Sequence, residues 1–151
     1  MKRQIAKGLA MLMVTLALAA ASAVVANGQS KAQMVAQVPF EFMVADKTLS
    51  AGEYRVAAID QSGDTIAILN KAGDGIIRLS SPRDRSGSDK PAKLVFHQYG
   101  STYFLSQVWM AGEATGRELS KSKQERAIQR ELKVAANGRT YETVEVVAIA
   151  R

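Results

Sequence analysis

KLVFHQYGSTYFLSQVWM, Lys93 to Met110, is the stretch on which the fold turns. Two apolar runs flank Gly100-Ser101. A glycine at the first central position of a two-residue loop suits a type II′ turn, because it reaches positive φ at little steric cost. The stretch holds the chain's one Trp and one His, with two of its four Tyr and two of its four Phe. This hairpin register sets Tyr99 opposite Thr102, His97 opposite Phe104 and Val95 opposite Ser106. Strict alternation then gathers Leu94, Phe96 and Gln98 with Tyr103, Leu105, Gln107 and Trp109 on one face, a core face. Val95, Phe104, Val108 and Met110 make the other face too apolar for open water. A central strand pair covered on both sides is predicted.

On the N-terminal side, Val38, Phe40, Phe42 and Val44 alternate with Pro39, Glu41, Met43 and Ala45, predicting a half-buried strand. Pro39 cannot donate to a ladder and belongs near that strand's start or on an edge. A turn from Asp46 to Gly52 leads to EYRVAAI, the cluster Gln61-Ser62-Gly63-Asp64 to TIAILN, and residues 71–75 to IIRLS. The polar link Ser81 to Pro91 is expected to be a surface loop, and AGEATGREL after Met110 an irregular stretch.

One helix is predicted after it. Ser122-Lys123-Gln124-Glu125 is a capping box, in which the Ser and Glu side chains satisfy free backbone N–H groups. Asn137-Gly138 supplies a left-handed stop, and Ile128, Leu132 and Ala135 form a narrow apolar stripe. TYETVEVVAIA closes the chain as a strand expected to pair with the first strand or beside the hairpin. The architecture predicted is mainly β: a single antiparallel meander of about seven strands forming an open barrel or sandwich, with one C-terminal helix before the last strand. Superficially this layout is similar to a lipocalin, although the signature of that family near the first strand is not evident.

The chain opens with a targeting pattern. Lys2, Arg3 and Lys7 precede the uncharged run GLAMLMVTLALAAASAVVA, and small residues allow cleavage after Ala23 or after Ala26. Residues 1–26 are expected to be a signal peptide, 27–35 a flexible tail and 36–151 a single β-rich domain. The competing reading is a retained transmembrane anchor, since the run approaches the ~20 residues that a span requires. Cleavage would leave no transmembrane span. Without any cysteine, an exported chain of this size has no disulfide staple and depends on packing alone. The net charge of +6 falls to +3 once Lys2, Arg3 and Lys7 leave, 17 basic side chains against 14 acidic ones. That is no nucleic-acid footprint.

The residues point away from catalysis. One His, no Cys and scattered carboxylates supply no metal constellation, and no cofactor motif is present. His97 has no nucleophile motif tied to it, so a satisfied core histidine is the simplest reading. The Gly73 to Gly75 segment is a turn, lacking the strand–loop–helix of a phosphate cradle. Phe96, Tyr103, Leu105 and Trp109 are the candidate ligand-binding residues, able to line an apolar pocket or equally to be packed core. Lys121, Lys123, Arg126, Arg130 and Lys133 form either a solvated helix face or a contact for phosphate groups.

VPFEFMV, KTLSAGEYRV, AKLVFHQYGSTYFLSQVW and GRELSKSKQERA together resemble a family of small exported bacterial proteins common in acidobacterial genomes, without an assigned biochemical activity. The resemblance runs from about Val38 to Ala127. It implies export and a shared fold, and lends no catalytic residue. Ser50 and Ser120 stand where relatives prefer proline, which leaves those turns less rigid. The function expected is therefore an exported, non-catalytic envelope, periplasmic or secreted protein that binds an apolar ligand or an envelope partner. The alternatives are a purely structural envelope component and, last, a hydrolase.

Overall fold

The computed structural model describes residues 33–84, 91–135 and 141–151. The expectations for residues 1–26 and for Asn137-Gly138 lie outside this set. Among the described residues ten strands occur in chain order: β1 Gln33–Val38, β2 Phe42–Val44, β3 Lys47–Leu49, β4 Gly52–Ala58, β5 Thr65–Asn70, β6 Gly75–Asp84, β7 Lys93–Tyr99, β8 Thr102–Trp109, β9 Thr115–Leu119 and β10 Glu142–Ala150. Helix α1, Lys123–Ala135, lies before β10.

Eight strands close into a barrel in the order β1-β4-β5-β6-β9-β8-β7-β10, with β10 returning to β1. All neighbours in the ring are antiparallel. The mainly-β, antiparallel architecture with a helix before the last strand therefore stands. The barrel is closed, and two meanders replace the single one expected: β1-β4-β5-β6 and β7-β8-β9. A lipocalin-like run of consecutive neighbours does not form. Two crossovers join the meanders. One follows β6; the other carries α1, so that β10 enters between β7 and β1 and uses both of the pairings expected for it.

Three elements differ from expectation, each for a local reason. The first strand breaks at Pro39, which has no N–H to give a ladder, so β1 starts at Gln33, inside the expected tail. Met34 has no exposed surface and belongs to the core. Phe42–Val44 becomes β2, which turns through Ala45-Asp46 onto β3 and touches β8 in parallel at Met43↔Phe104. AGEATGREL contains β9, because Thr115–Leu119 fills the place between β6 and β8. Ser81–Asp84, expected in a loop, extends β6 to meet it.

The interior is apolar and aromatic. Met34, Ala36, Val38, Val56, Ile66, Ile68, Leu94, Phe96 and Val108 are at most 1 % exposed and belong to one core cluster. Burying a side chain of this size contributes roughly 1.5–3 kcal/mol, so packing supplies what disulfides do not. Gly100 has φ 60° at the hairpin turn, as the II′ reading required.

Candidate functional site

The four candidate ligand residues do not share one pocket. Near the turn the hairpin keeps its expected register: Tyr99↔Thr102, His97↔Phe104 and Phe96↔Leu105. Beyond Phe96 the register shifts, and Val95 faces Gln107. Ser106 is thus an extra residue in β8, a bulge, and every side chain after it changes face. Phe96, Tyr103 and Leu105 point into the barrel. Trp109 lies on the outer wall, paired with Lys93 and seated over Gly116 of β9. Its Nε1–H donates to Gln107 Oε1 at 2.9 Å.

Inside, the aromatic rings meet one another. Phe96 is met edge-on by Phe40 at 5.2 Å and by Phe42 at 5.3 Å, and Phe40 stacks on Tyr103 at 4.0 Å. Phe42 continues the chain to Tyr54 at 5.1 Å, whose hydroxyl donates to the Ser50 carbonyl at 2.8 Å. The segment after β1 delivers Phe40 and Phe42, so the break at Pro39 is what brings these rings over Phe96. Offset and edge-to-face pairs add ~0.5–1.5 kcal/mol each beyond their buried area.

A second cluster lies on the outer face of β7, under α1. His97 Nδ1 is 2.9 Å from Glu125 Oε1, and the Tyr99 hydroxyl donates to the same oxygen at 3.1 Å. The His97 and Glu125 side chains are 8 % and 5 % exposed. The Tyr141 ring leans on the imidazole, 4.1 Å between centroids, and Lys121 Nζ sits 5.2 Å from the centre of the Tyr141 ring. Burial, and then the charge of Glu125, push the Tyr99 phenol above its ordinary value of 10, which keeps it protonated and donating.

The capping box is half of what its sequence implies. Ser122 Oγ accepts from the Glu125 N–H at 2.9 Å, as expected. The Glu125 carboxylate reaches His97 and Tyr99 on the barrel wall instead of turning back to the helix start. His97 is satisfied, as its sequence reading held, but by a carboxylate that the reading did not connect to it. With both side chains this enclosed, the contact joins α1 to the barrel wall. The basic residues Lys123, Arg126, Arg130 and Lys133 are exposed along α1, whose Ile128 and Leu132 are half-buried.

At the opposite end of the barrel, Arg117 of β9 bonds Asp64 Oδ1 at 2.9 Å and reaches the Ser62 carbonyl. Asp60 in that loop accepts from the Thr65 N–H at 2.7 Å, the Ser62 hydroxyl at 2.9 Å and the Asp64 N–H at 3.0 Å. Hydrogen bonds, that of Thr65 first, lower its carboxyl to about 2. This is an Asx-type turn closing β4 onto β5.

Compared with protein-family models, curated proteins and solved structures, the chain finds no match. Among the described residues, no helix is long and apolar enough to cross a membrane.

Proposed function

We infer that the protein is an exported, non-catalytic component of the cell envelope or the secreted fraction, and that it works by engaging an envelope partner through its outer surface. The observation that carries this reading is the ring-to-ring packing of Phe40, Phe42, Phe96, Tyr54 and Tyr103 inside the barrel. An apolar ligand seated against Phe96, Tyr103 and Leu105 would have to displace Phe40 from both Phe96 and Tyr103. The outer wall, in contrast, exposes Ile77, Leu79, Val147 and Ile149 at 58–73 %. Ile77 with Leu79 on β6 and Val147 with Ile149 on β10 form two outward-facing apolar pairs that a partner could cover. The targeting pattern of residues 1–26 supports the address.

The test is native mass spectrometry of the protein recovered from its own envelope or medium. A co-isolated protein or envelope polymer, lost on Val147→Lys, supports the reading. A stoichiometric lipid or other small hydrophobe that leaves on unfolding would overturn it and assign the barrel interior as the binding site.

A further inference from the structure

The barrel wall is incomplete on one edge. β6 has ten residues and β9 has five, and of β6 only Ser80–Asp84 pair with β9. Among the described residues, no strand pairs with Gly75–Leu79 on the side away from β5. The contact made across that side is Lys47 Nζ to the Gly75 carbonyl, 2.6 Å. The Asp74 carbonyl accepts from Asn70 and the Ser80 N–H donates to Asp64, so the even-numbered residues direct their backbone groups to β5. By the alternation of an antiparallel ladder, Gly75, Ile77 and Leu79 direct theirs outward.

We propose that this edge is a self-pairing site, and that two copies of the chain associate through antiparallel β6 strands centred on Ile77. The register is self-complementary. It sets Ile77 against Ile77 of the second copy, and Gly75 against Leu79, so each residue with outward-facing backbone groups meets another. The exposed side chains fit the same register. Ile77, 58 % exposed, meets its own equivalent, while Leu79, 73 % exposed, falls opposite a glycine that leaves room for it.

Charge agrees as well. On the other face of β6, Arg78 lies opposite Ile76 of the second copy, and Asp74 opposite Ser80. That puts Asp74 of each copy on the diagonal to Arg78 of the other, within reach of an arginine. Neither side chain has an ion-pair partner among the described residues. No like charges face each other. The second apolar patch, Val147 and Ile149, lies on β10, where Val147 pairs with Lys93 of β7 and Ile149 with Val35 of β1. This inference goes beyond the envelope-partner reading, and its test uses no partner, so the two fail separately.

The chain has no cysteine, so a single introduced thiol reports on symmetry. In a hydrogen-bonded antiparallel pair the Cα atoms stand ~5.5 Å apart, inside the range that a disulfide bridges. Mild oxidation of Ile77→Cys is expected to give a covalent dimer, and Val147→Cys none. Sedimentation of the unmodified protein is expected to show a dimer. Ile77→Pro and Leu79→Lys are expected to return monomer with the melting temperature of the folded unit kept, since neither side chain is buried and the Ile77 N–H is not in the β5 ladder. Sedimentation as a monomer at all concentrations would overturn the proposal and make Lys47 a guard on a solitary edge. Equal cross-linking at Val147→Cys, a dimer that survives Ile77→Pro, or a different protein occupying this edge would overturn it equally.

Discussion

His97 on β7 and Glu125 on α1 meet through Nδ1 and Oε1 at 2.9 Å, and the same carboxylate oxygen takes the Tyr99 hydroxyl. Glu125 is nearly fully enclosed at this contact, whereas Ile128 and Leu132 of the helix are half-buried. Glu125→Ala leaves two buried donors without an acceptor and is expected to cost about 3–5 kcal/mol, the range for removing one partner of a buried pair. Glu125→Gln keeps an acceptor and is expected to cost less. Replacing both partners, His97→Phe with Glu125→Leu, removes the polar groups together and is expected to recover most of the loss. Urea unfolding of the single and double variants measures this, and a double variant no better than the singles would refute the account.

Tyr99 gives the same cluster an alkaline limit. Its phenol is held above 10 in the folded state, so the folded chain keeps that proton where the unfolded chain has released it. A raised value in the folded state means stability that is complete below pH 10 and falls as the pH rises past it. Tyr99→Phe removes a hydrogen bond to a carboxylate and is expected to cost roughly 1.5–3 kcal/mol near neutrality. Its deficit against the natural chain is expected to shrink above pH 10. Tyr54, also raised by burial, contributes to the alkaline slope of both proteins alike. Parallel pH profiles for the two would count against the role given to Tyr99.

The Asp60 turn gives an acid limit of opposite sign. Its carboxyl is lowered from 3.8 to about 2 by hydrogen bonds, Thr65 first. The stability it contributes is present above pH 3.8 and is lost as the pH falls through about 2. Asp60→Asn is expected to flatten the stability profile between those two pH values, and an NMR titration should find the Asp60 carboxyl near the lower end. A carboxyl titrating at the ordinary value would show that the turn opens in solution.

Much of this was legible in the chain, and the failures share a cause. Hairpin pairing near Gly100, the Ser122 cap and the return of TYETVEVVAIA to the sheet follow from local chemistry, and each is present. What strict alternation misplaces is Trp109. Read with period two, Leu105, Gln107 and Trp109 share a face, which puts a glutamine in the core between two large apolar residues. That conflict is the trace of the Ser106 bulge, which turns Val108 inward and Gln107 outward. The His97–Glu125 contact left no such trace. It joins residues 28 apart through the packing of a helix on a wall, which no periodicity records. β9 was hidden because its apolar content is one leucine and its place is set by neighbours.

Trp109 and Gly116 make the last test, because the glycine is where the indole lies. Gly116 is buried, and a methyl group built on it overlaps the Trp109 ring at Cε3, Cδ2 and Cζ3. The ring thus covers a stretch of β9 that has no side chain of its own, an arrangement that pins register between neighbouring strands. Gly116→Ala must push the indole off the wall and is expected to cost ~1–3 kcal/mol, the range for overpacking, with a red shift of the single Trp emission. Trp109→Ala is expected to cost about 3–5 kcal/mol, since the side chain is nearly as enclosed as the interior rings although it faces outward. In a Trp109→Ala background the ring atoms that the methyl group overlaps are gone, so Gly116→Ala should then be close to neutral. That coupling separates contact from propensity. If Gly116→Ala costs the same with and without Trp109, the penalty belongs to the β9 backbone, and the indole does not rest on this glycine.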